Sequence, residues 1–184
     1  MASQLMQTGL ENLDVDAFVE AFTAIMKNEE PTMSLEEATK HIQAYFSAKQ
    51  NEMSEMNKQA GELFLAENKK KENVVELPSG LQYEILAEGS GESPGATDKV
   101  TCHYHGTLLD GTVFDSSVNR GQPAVFGVNQ VIQGWVEALQ LMSVGSKWRL
   151  YVPSHLAYGE QGAGNDIEPH STLIFDVELL DIEK

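Results

Sequence analysis

Cysteine is nearly absent from this chain of 184 residues: Cys102 stands alone, which excludes an internal disulfide and any cysteine-rich zinc site. Basic side chains are scarce as well. Twelve Lys and Arg face 28 Asp and Glu, a formal charge of −16. A field of that sign repels a phosphate backbone. The one basic run, Lys69-Lys70-Lys71, is flanked by Glu67 and Glu72, so nucleic-acid binding is not expected. No apolar run approaches the ~20 residues a membrane-spanning helix needs. The N-terminus, Met-Ala-Ser-Gln-Leu-Met-Gln-Thr, has no basic segment followed by an apolar one, so it does not read as a secretory signal. The chain is therefore expected to be cytoplasmic, and periplasmic or secreted only if an upstream signal has been removed. Its length suits one medium domain or two small ones.

Glycine and proline are unevenly missing. Residues 1–73 hold Gly9, Gly61 and Pro31; all other glycines and prolines come later. The first half is rich in Ala, Glu, Met, Lys and Gln, which favour helix. Asp14 is placed to cap a helix over Val15–Asn28, on which Val15, Phe18, Val19, Phe22, Ile25 and Met26 form one apolar face. The run Glu29-Glu30-Pro31-Thr32 breaks it. Ser34 with Glu37 three residues on is a capping-box pattern, and no Gly or Pro follows until Gly61. One helix is expected from Leu35 to about Lys70, striped with Leu35, Ile42, Phe46, Met53, Met56, Ala60 and Leu63. So long a stripe has no partner of matching length in its own chain. It either packs on the second half or meets another copy, with Met6, Met26, Met33, Met53 and Met56 as adaptable filler. The polar stretch 61–73 reads as a solvated stalk.

After residue 73 the texture is that of strands between turns. Segments 81–86, 100–105 and 148–152 alternate, as do Leu173, Phe175, Val177 and Leu179; Asp110-Gly111 is a hairpin signal. A short helix after Val131-Ile132-Gln133-Gly134-Trp135, closed near Gly145, is the candidate cover for the apolar face of the sheet. Tyr104, Phe114, Phe126, Trp135, Tyr158 and Phe175 are more aromatic surface than so small a core must hold. A concave, aromatic-lined pocket follows.

Catalytic constellations are otherwise thin. His103 and His105 share a strand face, but no carboxylate or cysteine completes a metal set, so no metal is expected. Cys102 alternates onto the inner face with Val100 and Tyr104 and reads as structural. The stretch Gly159–Asn165 lacks the Lys-Ser/Thr ending of a phosphate loop and reads as a flexible loop beside a site. Asp115, in Phe114-Asp115-Ser116-Ser117, is either a turn cap or a charge aimed at the pocket, with Arg120 within reach.

The blocks VTCHYHG (100–106), DGTVFDSS (110–117), VIQGW (131–135), SVG (143–145), LAYG (156–159) and PHSTLIFDVELL (169–180) occur in this order. With them, residues 79–183 resemble an FKBP-type peptidyl-prolyl cis–trans isomerase domain. The helical first half resembles the two-domain bacterial branch that includes the macrophage infectivity potentiator proteins. The resemblance implies an α+β chain in three parts. A helical dimerisation region covers 1–50, and a stalk over 51–73 continues the helix begun near 34. An isomerase domain over 74–184 wraps an antiparallel sheet around a short helix. It implies X-Pro isomerisation without cofactor or metal. The implied catalytic residues are Tyr104, Phe114, Asp115, Ile132, Trp135, Tyr158 and Phe175, with the Ile132 N–H on a substrate carbonyl. Arg120, Phe126, Val131, Ala157 and Ile167 are implied for substrate binding. The implied partners are proline-containing unfolded or partly folded polypeptides, a second copy of the chain, and macrolide inhibitors such as tacrolimus and rapamycin. Ala124, Ala163 and Asp166 depart from better-known single-domain members and imply a more open, more polar pocket mouth. The alternative is a folding chaperone or proline-segment binding module with little turnover.

Overall fold

The computed structural model describes residues 14–27, 29 and 33–183, without the side chains of Val15 and Leu35. Met6, the helix break at 30–32 and the start of the expected dimerisation region lie outside the described residues. The chain divides into two compact units, Met1–Ala48 and Lys49–Lys184.

The first unit holds α1 (Val15–Met26) and the beginning of α2 (Leu35–Asn68). Both helices start where the capping residues dictate. Asp14 Oδ1 accepts the Ala17 N–H at 3.0 Å. The Ser34 hydroxyl accepts the Glu37 N–H at 3.2 Å, and the Glu37 carboxylate accepts the Ser34 N–H at 3.1 Å, a reciprocal box. On the apolar face of α1, Phe18, Val19, Phe22, Ile25 and Met26 are exposed, Met26 to 71%. Ile42, Tyr45 and Phe46 on α2 are exposed as well.

The second unit is built on an antiparallel sheet of β1 (Val74–Glu76), β2 (Gln82–Ala87), β3 (Lys99–Thr107), β4 (Val113–Ser116), β5 (Ala124–Gly127), β6 (Lys147–Val152) and β7 (Leu173–Glu183). Their spatial order is β1-β2-β6-β7-β3-β4. β7 runs along the whole of one edge of β3. The other edge is shared: β5 pairs residues 99–102 and β4 pairs 105–107. Strand alternation decides the inner face. Val100, Cys102 and Tyr104 of β3 and Leu173, Phe175, Val177 and Leu179 of β7 are buried. A one-turn helix, α3 (Ser117–Arg120), joins β4 to β5, and α4 (Gln133–Leu139) lies against the inner face through Trp135, Ala138 and Leu139. The α+β architecture expected from sequence is present.

Three details differ from expectation. Asp115 lies within β4 and not at a turn cap, the first of its two readings. Gly145 does not end the helix: α4 stops at Leu139 with Gln140 as its C-cap, and the Gly145 N–H donates to the Leu179 carbonyl at 2.8 Å. The stretch 61–73, expected to be solvated, docks along one side. Phe64 meets Tyr151 with ring centroids 5.8 Å apart. Gln82 Nε2 donates to the Leu65 carbonyl at 2.9 Å, and buried Asn68 donates to Gln82 Oε1 at 3.0 Å. Beside Phe64, polar side chains make this contact, and a hydrophobic-pattern reading scores them as surface.

Asn68→Ala strands the Gln82 side-chain oxygen in the interior without its donor. A loss of about 1–3 kcal/mol is expected, measured as a lower urea midpoint at unchanged slope.

Candidate functional site: an aromatic hollow with a charged rim

Trp135 is 4% exposed and is the hub of the site. Tyr104, Phe126 and Phe175 meet its indole nearly edge-on, with centroids at 5.5, 5.7 and 5.3 Å and interplanar angles of 84, 82 and 81°. Phe175 meets Phe114 in the same way at 5.4 Å. Perpendicular contacts suit the ring quadrupoles, and rings set on edge cannot close flat over one another. They leave a hollow of about 450 Å³, lined by Tyr104, Phe114, Asp115, Phe126, Gln130, Val131, Ile132, Trp135, Tyr158 and Phe175. The buried Trp135 Nε1 has no hydrogen-bond partner among the described residues.

The backbone beneath is shaped for these rings. A Cβ at Gly106 would lie 2.7 Å from Phe114 Cζ and 2.9 Å from Phe175 Cε1. Bare backbone at that point of β3 is what lets the two phenyl groups sit there.

The polar rim depends on the interrupted edge of β3. Residues 103 and 104 fall between the stretches paired to β4 and β5, and Ser117 fills that gap. Its hydroxyl accepts the Tyr104 N–H at 2.7 Å and lies 3.0 Å from His103 Nδ1. Ser116 caps α3 by accepting the Asn119 N–H at 3.1 Å. That single turn carries Arg120 back to Asp115, which β4 holds opposite Gly106. Arg120 pairs with Asp115 Oδ1 and donates to the Tyr104 hydroxyl at 2.8 Å. Its guanidinium carbon is 5.6 Å from the Tyr104 ring centroid, and the Tyr104 hydroxyl in turn donates to Asp115 Oδ2.

Burial pushes the Asp115 carboxyl up, but the Tyr104 and Arg120 hydrogen bonds and the Arg120 charge outweigh it, so the group lies below the usual carboxylate range. Burial, then the bond to Asp115, raises the Tyr104 phenol; burial, then the Asp115 charge, raises Tyr158. At neutral pH the rim thus carries a carboxylate already occupied by donors and two neutral phenols. Asp115 is a fixed charge here, with no proton to give.

Of the residues expected at the site, Tyr104, Phe114, Asp115, Phe126, Val131, Ile132, Trp135, Tyr158 and Phe175 line one hollow. Arg120 reaches it through Asp115. Ala157 and Ile167 do not line it. Ala157 follows the 3-10 turn Ser154–Leu156. Ile167 is buried in the core, its backbone bridged to Ala163. Gln130 was not anticipated; its one signal is adjacency to Val131. Gly106 was missed because a strand glycine does not announce what it makes room for. His103 and His105 each lie 3.0 Å from a serine hydroxyl, of Ser117 and Ser116. Burial pushes the Cys102 thiol up to about 12, which suits a structural residue.

Comparison with known proteins gives two family matches. Residues 90–180 match the family described as FKBP-type peptidyl-prolyl cis-trans isomerase, and residues 1–85 match a domain amino-terminal to it. The chain is 46% identical over 185 residues to the FKBP-type 22 kDa peptidyl-prolyl cis-trans isomerase of Escherichia coli K12, covering 99% of this chain and 90% of that protein. It is 49% identical over 160 residues to the Outer membrane protein MIP of Legionella longbeachae, covering 87% and 69%. The crystal structure of FkpA from Escherichia coli superposes with a TM-score of 0.82 at 33% identity, covering 99% and 91%. These likenesses overturn the cytoplasmic expectation, since a relative this similar is an outer membrane protein. Compartment is set by separately read address segments, which the composition of a folded chain does not report.

Gly106→Ala is expected to cost about 1–3 kcal/mol of stability through overpacking and to splay Phe114 from Phe175, seen as shifted aromatic resonances. Tyr104→Phe removes a donor from Asp115 and should raise its pKa in a carboxyl-carbon NMR titration. Asp115 titrates lower in the folded state, so its contribution is present above the usual carboxylate range and fades as pH falls through the folded value. The Tyr104→Phe protein should show less of that acid-side loss.

Proposed function

The chain belongs to the FKBP-type peptidyl-prolyl cis–trans isomerase family and is a rotamase, and from that premise we propose how its own residues act. The observation that carries the reading is the hollow held open by rings set on edge around Trp135. An X-Pro bond rotates over a barrier of about 18–20 kcal/mol because twisting the amide ends its resonance. The planar amide is the more dipolar form and is favoured by water. A prolyl ring seated among Tyr104, Phe114, Trp135 and Phe175 loses that water, and the planar form loses more than the twisted one. No bond to carbon is made or broken, so the reaction needs no nucleophile.

The polar groups orient the peptide. The Ile132 N–H, at the start of α4, donates to no acceptor among the described residues and is offered to a substrate carbonyl. The Tyr158 hydroxyl holds a second carbonyl. Asp115, kept ionised by Tyr104 and Arg120, acts on the rotating carbonyl through its field. Phe126, Gln130 and Val131 complete the binding wall. Ala157 and Ile167 receive no contact role, because neither lines the hollow. Macrolide inhibitors such as tacrolimus and rapamycin are proposed as ligands of the same cavity.

The proposed substrates are proline-containing segments of unfolded or partly folded polypeptides, for which slow isomerisation limits folding. Residues 1–50 are proposed as a homodimerisation region, supported by the exposed rings and aliphatics of α1 and α2. Residues 51–73 are proposed as the stalk, helical to Asn68 and then turning into the isomerase domain proposed at 74–184. The proposed site of action is the bacterial cell envelope, supported by the likeness to an outer membrane protein.

In a protease-coupled prolyl-peptide assay, Trp135→Leu and Asp115→Leu should each lower kcat/KM by about tenfold or more, at least ~1.4 kcal/mol of barrier. A Trp135→Leu rate equal to wild type would remove the hollow from the mechanism. Sedimentation equilibrium should return twice the chain mass of 20.2 kDa; a single-chain mass at micromolar concentration would exclude a stable dimer.

A further inference from the structure

Tyr158 is the pocket wall least supported by the sheet. It is 40% exposed and stands on the long connection between β6 and β7. That connection is fixed from the helix side. Asn57, half-buried on α2, donates from Nδ2 to Glu168 Oε2 at 3.0 Å and to the Pro169 carbonyl at 3.2 Å. The next residue, His170, donates its N–H to the Gly159 carbonyl at 2.8 Å, and Gly159 directly follows Tyr158. His170 sits at φ 58°, the one non-glycine residue at positive φ among the described residues. An L residue keeps that conformation where its surroundings impose it. One turn further along α2, Gly61 approaches Thr172 so closely that a Cβ would overlap the Thr172 hydroxyl. The end of the connection is therefore pressed to the helix as well.

We propose that Asn57 is a positioning residue for the isomerase pocket, acting through Pro169 and His170 on Gly159 and so on the Tyr158 wall. The proposal rests on the reading of Tyr158 as part of the substrate site. The chemistry at 57 is specific. Both partners are acceptors, a carboxylate and a carbonyl, and an amide nitrogen brings two N–H groups to them. Aspartate has the shape of asparagine but no donor, and its charge would face that of Glu168. Helix α2 thereby takes part in the geometry of catalysis, not merely in carrying the domain.

The test compares Asn57→Ala and Asn57→Asp in the full chain, by amide hydrogen exchange and prolyl-peptide turnover. The His170 amide is expected to exchange about tenfold faster or more in both variants, while that of Val177 in the sheet keeps its protection. Turnover is expected to fall several-fold, and further for Asp than for Ala. A space-filling role gives the reverse order, with Asp close to wild type. Unchanged His170 exchange, or an Asp variant that turns over like wild type, overturns the proposal. Tyr158→Ala separates the two layers. If it leaves turnover intact, the reading of Tyr158 fails. If it lowers turnover while both Asn57 variants stay at wild type, the relay alone fails.

Discussion

An apolar hollow in a small domain has to be kept from collapsing, and in this protein the edge-on packing of Tyr104, Phe126 and Phe175 against Trp135 does so. Each ring is fixed at its backbone by a different element, β3, β5 and β7, and the indole comes from α4. To fill the cavity, three strands and a helix would have to move together. The isomerase chemistry rests on that persistence. A pocket that closed when empty would have to be reopened at the expense of the binding energy that desolvates the amide.

The charged rim solves a different problem. A carboxylate beside an apolar cavity is costly unless it is satisfied, and Asp115 is satisfied twice, by Tyr104 and by Arg120. Those same bonds remove it from acid–base work. In the proposed mechanism its contribution is a field of fixed position, suited to a reaction in which a carbonyl dipole rotates and no proton leaves. The gap in the β3 edge is the structural origin of this arrangement. Ser117 patches it, and the one-turn helix that begins there delivers Arg120.

Helix α2 is the element whose meaning changed most. Its pattern alone describes an amphipathic rod with a polar end. The polar end is instead an interface of amide side chains, Asn57, Gln82 and Asn68, in which each donor has an acceptor. Of these contacts the Asn68–Gln82 pair is buried, and a satisfied buried polar pair rigidifies the structure around it. That suits a helix proposed to hold a loop in place beside the pocket.

The sequence by itself determined the local structure and the family. Capping residues set where α1 and α2 start, alternation set the inner faces of β3 and β7, and the ordered blocks from VTCHYHG to PHSTLIFDVELL identified the isomerase domain. Most of the lining was legible for the same reason, since aromatic residues on inward positions of strands around one helix have one place to meet. What tertiary structure alone decided were the contacts with no periodic signature. The room Gly106 leaves for Phe114 and Phe175, the entry of Gln130, the withdrawal of Ala157 and Ile167 from the lining, and the grip of Asn57 on the far loop all join residues distant along the chain. Hydrophobic periodicity records which face of an element is buried. It does not record which side chain across the core, or which carbonyl of an irregular loop, that face will meet.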